Sequence, residues 1–387
     1  MRSHEFIQKA LHMNYGNWSP RIVWCFGLGA ALSLASGCSP GSMSQSDDGS
    51  GVNYAEQLNR EERTRSSDPA WKPKSEEIAV IQVGDKDKAG NLHNFCLQTN
   101  GNILACWGEE AEVSKSDTGH IRVFTREGKP AGTWSLPTVP QAICVDSDGT
   151  IFVGGSGRLF KLDAAGKVLV SAESPVGGKP INLNKGELET MFDRKLTEQD
   201  LEQYRTSLEQ RKRTVTGIAV SGEDVFVACP STTDFSFSVY RLTRELKEPK
   251  LVVKGLRGCC GQMDIQAKNG KLWIPHNAKH RVEAYDRDGK KLVSFGKTDR
   301  MAADGFGGCC EPKNIRIAND GNIYAAESGP PVSIKRFTPE GKFEGVAALP
   351  KFTSNCVRVT VEVSADCKRF YILSTGEDAI HVLAAKD

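Results

Sequence analysis

From Glu77 onward, apolar and polar positions alternate in short runs, the period of half-buried strands rather than of helices. Ile78-Ala79-Val80-Ile81-Gln82-Val83 is the first such run, and one theme then recurs. An apolar strand meets an Asp/Asn-Gly turn, a second strand follows, then a loop, a third strand, a Gly-Lys turn and a fourth strand. One copy reads Ile315-Arg316-Ile317, Asn319-Asp320-Gly321, Ile323-Tyr324-Ala325, Ile334-Lys335-Arg336-Phe337 and Glu340-Gly341-Lys342. The first turn returns at Asn100-Gly101, Asp148-Gly149 and Asn269-Gly270, with Gly222-Glu223 as a variant; a sixth copy passes through Ser364-Ala365-Asp366-Cys367. The second returns at Glu127-Gly128-Lys129, Ala165-Gly166-Lys167 and Asp288-Gly289-Lys290. Four-stranded units repeating every 40 to 50 residues or so predict a β-propeller.

These turns and spacings resemble the NHL-repeat family of six-bladed propellers over residues 78–385. The resemblance implies an all-β, six-bladed β-propeller; it says little of function, because one fold hosts many activities. The last copy ends at Ile380-His381-Val382-Leu383 without a fourth strand, so the early run 78–83 can supply it and close the ring. An open or seven-bladed array is the alternative.

Two segments lie outside this rhythm. Residues 185–214 interrupt the period. Thr197-Glu198-Gln199-Asp200 reads as a helix cap, and Leu201, Tyr204 and Leu208 follow at helical spacing. This helical insertion predicts either a helix packed on the propeller or a lid or partner-docking element. Residues 38–76 are Gly/Ser-rich and then mixed in charge; such composition buries too little apolar surface to fold, which predicts a disordered N-terminal tether.

Composition narrows the class. A net charge of +2 with no basic stripe gives no sign of nucleic-acid binding. Twelve cysteines are many for a reducing cytosol. The apolar run 22–35 after Arg21 is short for a membrane span and fits a signal peptide over residues 1–37. Its ending, Leu34-Ala35-Ser36-Gly37-Cys38, resembles a bacterial lipobox, with Ala35 where Leu is usual; by that resemblance Cys38 carries lipid and the protein sits in the cell envelope, its membrane partner reached through the lipid. The propeller domain then runs from 77 to 387.

The chemistry concentrates in two double cysteines, Cys259-Cys260 and Cys309-Cys310, each flanked by glycines and 50 residues apart, like their repeats. Equal repeat position puts both pairs on one face near the channel mouth. Strands alternate in direction, so loops entering first strands share that face with loops leaving second strands. His93, Asn314, His276, Asn277 and Glu327 join the cysteines there as candidate ligand-binding residues. Four readings of the pairs stand open: strained vicinal disulfides, staples between neighbouring blades, a soft-metal site with His276 or His93, or a redox couple. Cys96 with Cys106, and Cys356 with Cys367, flank hairpins and are disulfide candidates. Cys144 and Cys229 read as buried thiols or a pair. No motif implies a cofactor, no metal site is assigned and no catalytic motif is present. Three functions compete: an envelope protein binding a small molecule or partner protein at the cysteine-rich mouth, a metal-dependent or thiol-redox enzyme at the same face, and a purely structural lipoprotein.

Overall fold

A computed structural model describes residues 54–85, 90–109, 118–234, 236–258, 262–308, 310–329, 331–352 and 358–386. The signal-peptide region and Cys38 lie outside the described residues. The strands form six antiparallel four-stranded sheets, the blades of a propeller. Blades 1 to 5 take their strands in chain order between residues 91 and 348. Blade 6 contributes three late strands and borrows its fourth, Ser75–Gln82, from the start of the fold. That strand pairs antiparallel with Ala379–Ala385, in register from Ser75 opposite Ala385 to Gln82 opposite Ala379. The expected ring closure is present.

Each seam between blades has its own apolar cluster. The closing seam packs Ile81, Phe95 and Trp107 against Tyr371, Leu373 and Ile380; the seam between blades 4 and 5 packs Trp273, Phe306, Ile315 and Phe337. The repeated Gly-Lys turns serve these seams. At Gly166 an added Cβ would lie 2.1 Å from the indole of Trp134, on the outer strand of the preceding blade, and at Gly341 it would lie 2.3 Å from the Phe295 ring. Both glycines also hold positive φ, 87° and 91°. The turn motif therefore records a close approach between blades as well as a turn conformation.

The segment expected to be a tether is structured over most of its described part. Tyr54–Ser67 is a helix, α1, and Pro69–Trp71 a 3₁₀ turn. Composition argued against a core of its own, and the helix has none; its stability comes from docking. Trp71 is buried, and its Nε1 donates to the Met301 carbonyl at 2.8 Å. Glu61 pairs with Arg300 at 3.2 Å, and Ser75 Oγ donates to the Ala347 carbonyl at 2.7 Å.

The insertion holds two helices, α2 (Lys185–Phe192) and α3 (Glu198–Lys212). Thr197 and Asp200 form the expected capping box, and Tyr204 and Leu208 are the buried face of α3. Phe192 meets the Tyr204 ring edge-on at 5.9 Å. No helix among the described residues is long and apolar enough to cross a membrane.

The closing strand offers a test. Replacing Ile81 with Ala removes a buried side chain from the last seam and should lower unfolding stability by about 2–5 kcal/mol. Replacing the exposed Ile78 on the same strand should change it by no more than about 0.5 kcal/mol. Chemical denaturation of the two variants checks this; equal effects would mean that the strand does not close the ring.

Candidate functional site

The two double-cysteine loops enter the first strands of blades 4 and 5. Cys259, Cys260 and Cys309 lie outside the described residues. Cys310 is buried and disulfide-bonded, and every other described cysteine is a free thiol, so its partner also lies outside them.

Both loops are held by the same device. The second strand of blade 4 ends at His276 and that of blade 5 at Glu327. Two residues before Cys259, the Arg257 amide donates to His276 Nε2 at 3.1 Å. Two residues before Cys309, the Gly307 amide donates to Glu327 Oε1 at 2.7 Å. Each holding side chain is braced in turn by the third residue of the next strand. Because His276 Nε2 accepts, its Nδ1 carries the proton and donates to Glu283 Oε2 at 2.9 Å. In blade 5 the Lys335 ammonium pairs with Glu327 Oε2, which also accepts from Ser333 Oγ at 3.0 Å. The residue after each holder grips the far side of its loop. Asn277 Nδ2 donates to the Gln262 carbonyl at 3.0 Å; the Ser328 amide and hydroxyl donate to Glu311 Oε1 at 2.9 and 2.7 Å.

The braces carry buried charge. Burial opposes ionisation of Glu283, yet hydrogen bonds from His276, Lys291 and Tyr285 hold its carboxyl well below the usual carboxylate range. Tyr285 donates to Glu283 at 2.6 Å and Lys291 Nζ at 2.6 Å. Glu311 goes the other way: burial raises it, Lys313 opposes and Glu327 adds to the rise. Among the described residues its Oε2 has no hydrogen-bond partner, nor do Gln262 Oε1 and Asn277 Oδ1.

The expected ligand residues are engaged with protein. His276, Asn277 and Glu327 are buried, and both ring nitrogens of His276 and both carboxylate oxygens of Glu327 are bonded to protein. They brace the cysteine loops. Asn314 bridges three blades: its Nδ2 donates to Asp264 Oδ2 at 2.6 Å and its Oδ1 accepts from the Val361 amide at 2.9 Å. His93 stands in blade 1, where its Nε2 meets the Gly108 carbonyl at 2.9 Å within one hairpin.

Inside the ring lies a polar set that strand patterning did not single out. Arg316 pairs with Glu362, and its Nε donates to the Val361 carbonyl at 3.2 Å. Burial pushes Asp264 up to about 6, against Arg316, and pushes Glu362 up to about 7, again against Arg316. In the sequence these residues look like ordinary polar positions of first strands.

The hairpin staple expected between Cys96 and Cys106 is absent; both are free thiols. The register explains it: Cys96 faces Leu104 and Cys106 faces Asn94, so the cysteines are diagonal neighbours, too far apart to bridge. Cys367 is free as well, so the bridge expected with Cys356 is not formed; Cys356 lies outside the described residues. Cys367 sits in the turn between the first two strands of blade 6, at φ 58°. Cys144 and Cys229 are free, and burial pushes both up to about 12. Such thiols stay protonated at neutral pH and are poor nucleophiles and metal ligands. Among the described residues no group of three or more His, Cys, Asp and Glu could hold a metal ion. On the opposite face, between blades 1 and 2, a cavity of about 330 Å³ is lined by Gln98, Asn100, Asn102, Val123, Trp134 and Val145, among others.

No protein-family model matches the chain, and no curated protein matches it. Its likenesses are structural. A protein of unknown function from Bacteroides thetaiotaomicron superposes with a TM-score of 0.50 at 11% identity, over 81% of this chain and 72% of its own. A calcium-binding regucalcin from Agrobacterium tumefaciens gives 0.46 at 12%, over 76% and 93%. A gluconolactonase from Xanthomonas campestris gives 0.45 at 12%, over 82% and 98%. The likeness is one of fold: a six-bladed propeller with gluconolactonase-like neighbours at very low identity.

The raised channel acids make a pH prediction. A carboxyl whose folded pKa lies above its unfolded value near 4 takes up a proton on folding. Asp264, at about 6, thus lends stability that declines as pH rises from about 4 through 6. Asp264→Asn keeps an acceptor for Asn314. Relative to the wild type it should gain stability as pH rises from 5 to 8, measured by chemical denaturation. A constant difference across that range would mean that Asp264 is ionised throughout.

Proposed function

We propose that this chain is a lipid-anchored envelope propeller that binds a small molecule or partner protein on the face carrying the two double-cysteine loops. The observation that carries the reading is the matched pair of clamps. Two loops at the same repeat position are each held at a backbone amide by a buried, braced side chain. Burying charge to hold a surface loop costs stability unless every partner is satisfied. Loops fixed in this way lose little entropy on binding, which favours recognition. The free thiols in the described core are held protonated, so they do not favour a thiolate enzyme.

The anchor belongs to the same reading. With α1 beginning at Tyr54, only fifteen residues separate it from Cys38. That span reaches at most about 55 Å at full extension. An anchored chain would therefore keep blade 5, where α1 docks, close to the lipid surface.

One observation favours the thiol-redox alternative. Cys310 is disulfide-bonded next to Glu311, a buried acid held toward its neutral form with an oxygen that meets no hydrogen-bond partner among the described residues. Such a group can carry a proton for thiol–disulfide exchange with an external dithiol.

Three measurements decide among these. A photo-crosslinking residue at the exposed Arg257 should capture a discrete adduct in intact cells, and the same residue at Asn100 on the opposite face should not; equal capture at both, or at neither, rejects the binding face. Aerobic purification with thiols alkylated before digestion, and metals quantified on the same sample, should find Cys259, Cys260, Cys309 and Cys310 unalkylated and no stoichiometric metal; four alkylated thiols with one metal per chain would establish the metal-dependent enzyme instead. Cys38→Ser should abolish incorporation of a clickable fatty acid and release the protein from the membrane fraction; unchanged fractionation would sink the anchor.

A further inference from the structure

The two clamps are alike in their bonds and unlike in their cover. In blade 4 the lysine of the network, Lys291, has a side chain 47% exposed, so water shares its charge. In blade 5 the lysine, Lys335, is 1% exposed. Two rings cover it, Phe306 from the propeller at 5.8 Å and, nearer, Trp71 from the segment that precedes the propeller. The Lys335 ammonium lies 4.7 Å from the Trp71 ring centre and also donates to the Gly305 carbonyl.

The contacts form a short, continuous path. Trp71 covers Lys335, Lys335 pairs with Glu327 Oε2, and Glu327 Oε1 accepts the Gly307 amide. Three residues on is Cys310, disulfide-bonded. The same segment holds the chain leading into that loop from outside: Trp71 Nε1 bonds the Met301 carbonyl, Arg65 lies 3.9 Å from Met301 Sδ, and Glu61 pairs with Arg300. The run 297–306 is tied to itself, the Asp299 amide to the Phe306 carbonyl and the Phe306 amide to the Lys297 carbonyl. The N-terminal segment therefore touches both the brace of the loop and the stretch that feeds it. The blade 4 clamp has no such visitor among the described residues.

We propose that the N-terminal segment is a positioning element for the site: with Trp71 laid over Lys335 it fixes the Lys335–Glu327 pair and hence the loop from Gly307 to Glu311, leaving the matching loop of blade 4 independent of it. The physical reason is dielectric. A lysine–carboxylate pair held away from water is a stiff electrostatic contact; the same pair opened to water is weak and exchanges partners with solvent. Removing the indole lets water reach Lys335, and Glu327 then divides itself between solvent and the Gly307 amide. Because α1 follows the proposed lipid anchor, whatever displaces the segment from the propeller loosens one of the two cysteine loops and spares the other. The inference rests on the binding-face reading for its importance, but its test needs no ligand.

The two clamped amides are built-in reporters. Hydrogen exchange of the Gly307 and Arg257 amides in the full chain should respond selectively to Trp71→Ala: exchange at Gly307 rises about tenfold, as expected for loss of roughly one hydrogen bond, and Arg257 stays unchanged. Trp71→Phe keeps a ring over the ammonium and should restore most of the protection. Lys335→Met, which leaves Trp71 in place and removes the charge, should also free Gly307, and it serves if Trp71→Ala does not fold. An unchanged Gly307, or equal acceleration at both amides, overturns the proposal, the second because it marks general loosening. Absence of a crosslinked partner would overturn the binding reading while leaving this result standing.

Discussion

A sheet edge cannot stay unpaired at no cost, and without a fourth strand blade 6 would expose the edge of its last strand and leave the two ends of the fold unjoined. The pairing of Ser75–Gln82 with Ala379–Ala385 is therefore the contact on which the rest of the molecule depends. It completes the sixth blade, it joins the first and last strands of the fold, and it completes the seam where Ile81 packs on Trp107 and Ile380. It has a second consequence. Because the first strand belongs to the last blade, the residues just before it are delivered to the outside of blades 5 and 6, where Trp71 reaches Lys335. Ring closure thus brings an N-terminal segment to one of the cysteine loops without any element evolved only to carry it there.

The face that the loops occupy is organised by hydrogen-bonding need. A backbone amide in a tight loop has no ladder partner, so it must find an acceptor elsewhere. At Arg257 and Gly307 the acceptor is a side chain from the end of the blade's second strand, His276 in one blade and Glu327 in the other. The two solutions use different chemistry for the same task. An imidazole accepts through one nitrogen and is oriented by a carboxylate through the other; a carboxylate accepts through one oxygen and is oriented by a lysine. That a neutral ring and an anion replace each other at one repeat position argues that the position is defined by loop geometry and not by the charge of a ligand. The thiols of the described core point the same way, since burial keeps them protonated.

Periodicity read from the chain alone recovered the blades, their turns, the closing strand and the helical insertion with its Thr197–Asp200 cap, because each of these is a local pattern repeated. It went astray where the answer lay in another part of the chain. Residues 54–71 have too little apolar content to fold alone, and composition alone hides a single tryptophan with a pocket waiting for it. Cys96 and Cys106 flank a hairpin at a suitable distance in sequence, but a register shifted by two residues puts them on a diagonal. The spacing of His276 and Glu327 says nothing of whether they point at a ligand or at the loop beside them; in the fold each accepts a loop amide.

The sequence by itself determined the architecture, since strand period, turn chemistry and repeat length act over a few residues and need no distant partner. It also determined which residues share a face, because position within a repeat becomes position around a ring. Only the tertiary structure decided what those residues do there. Burial, protonation and hydrogen-bond partnership depend on atoms brought together from different blades: Arg316 with Glu362, Asn314 with Asp264, Trp71 with Lys335. Those pairings arise from closing the ring, and no local pattern in the chain encodes them.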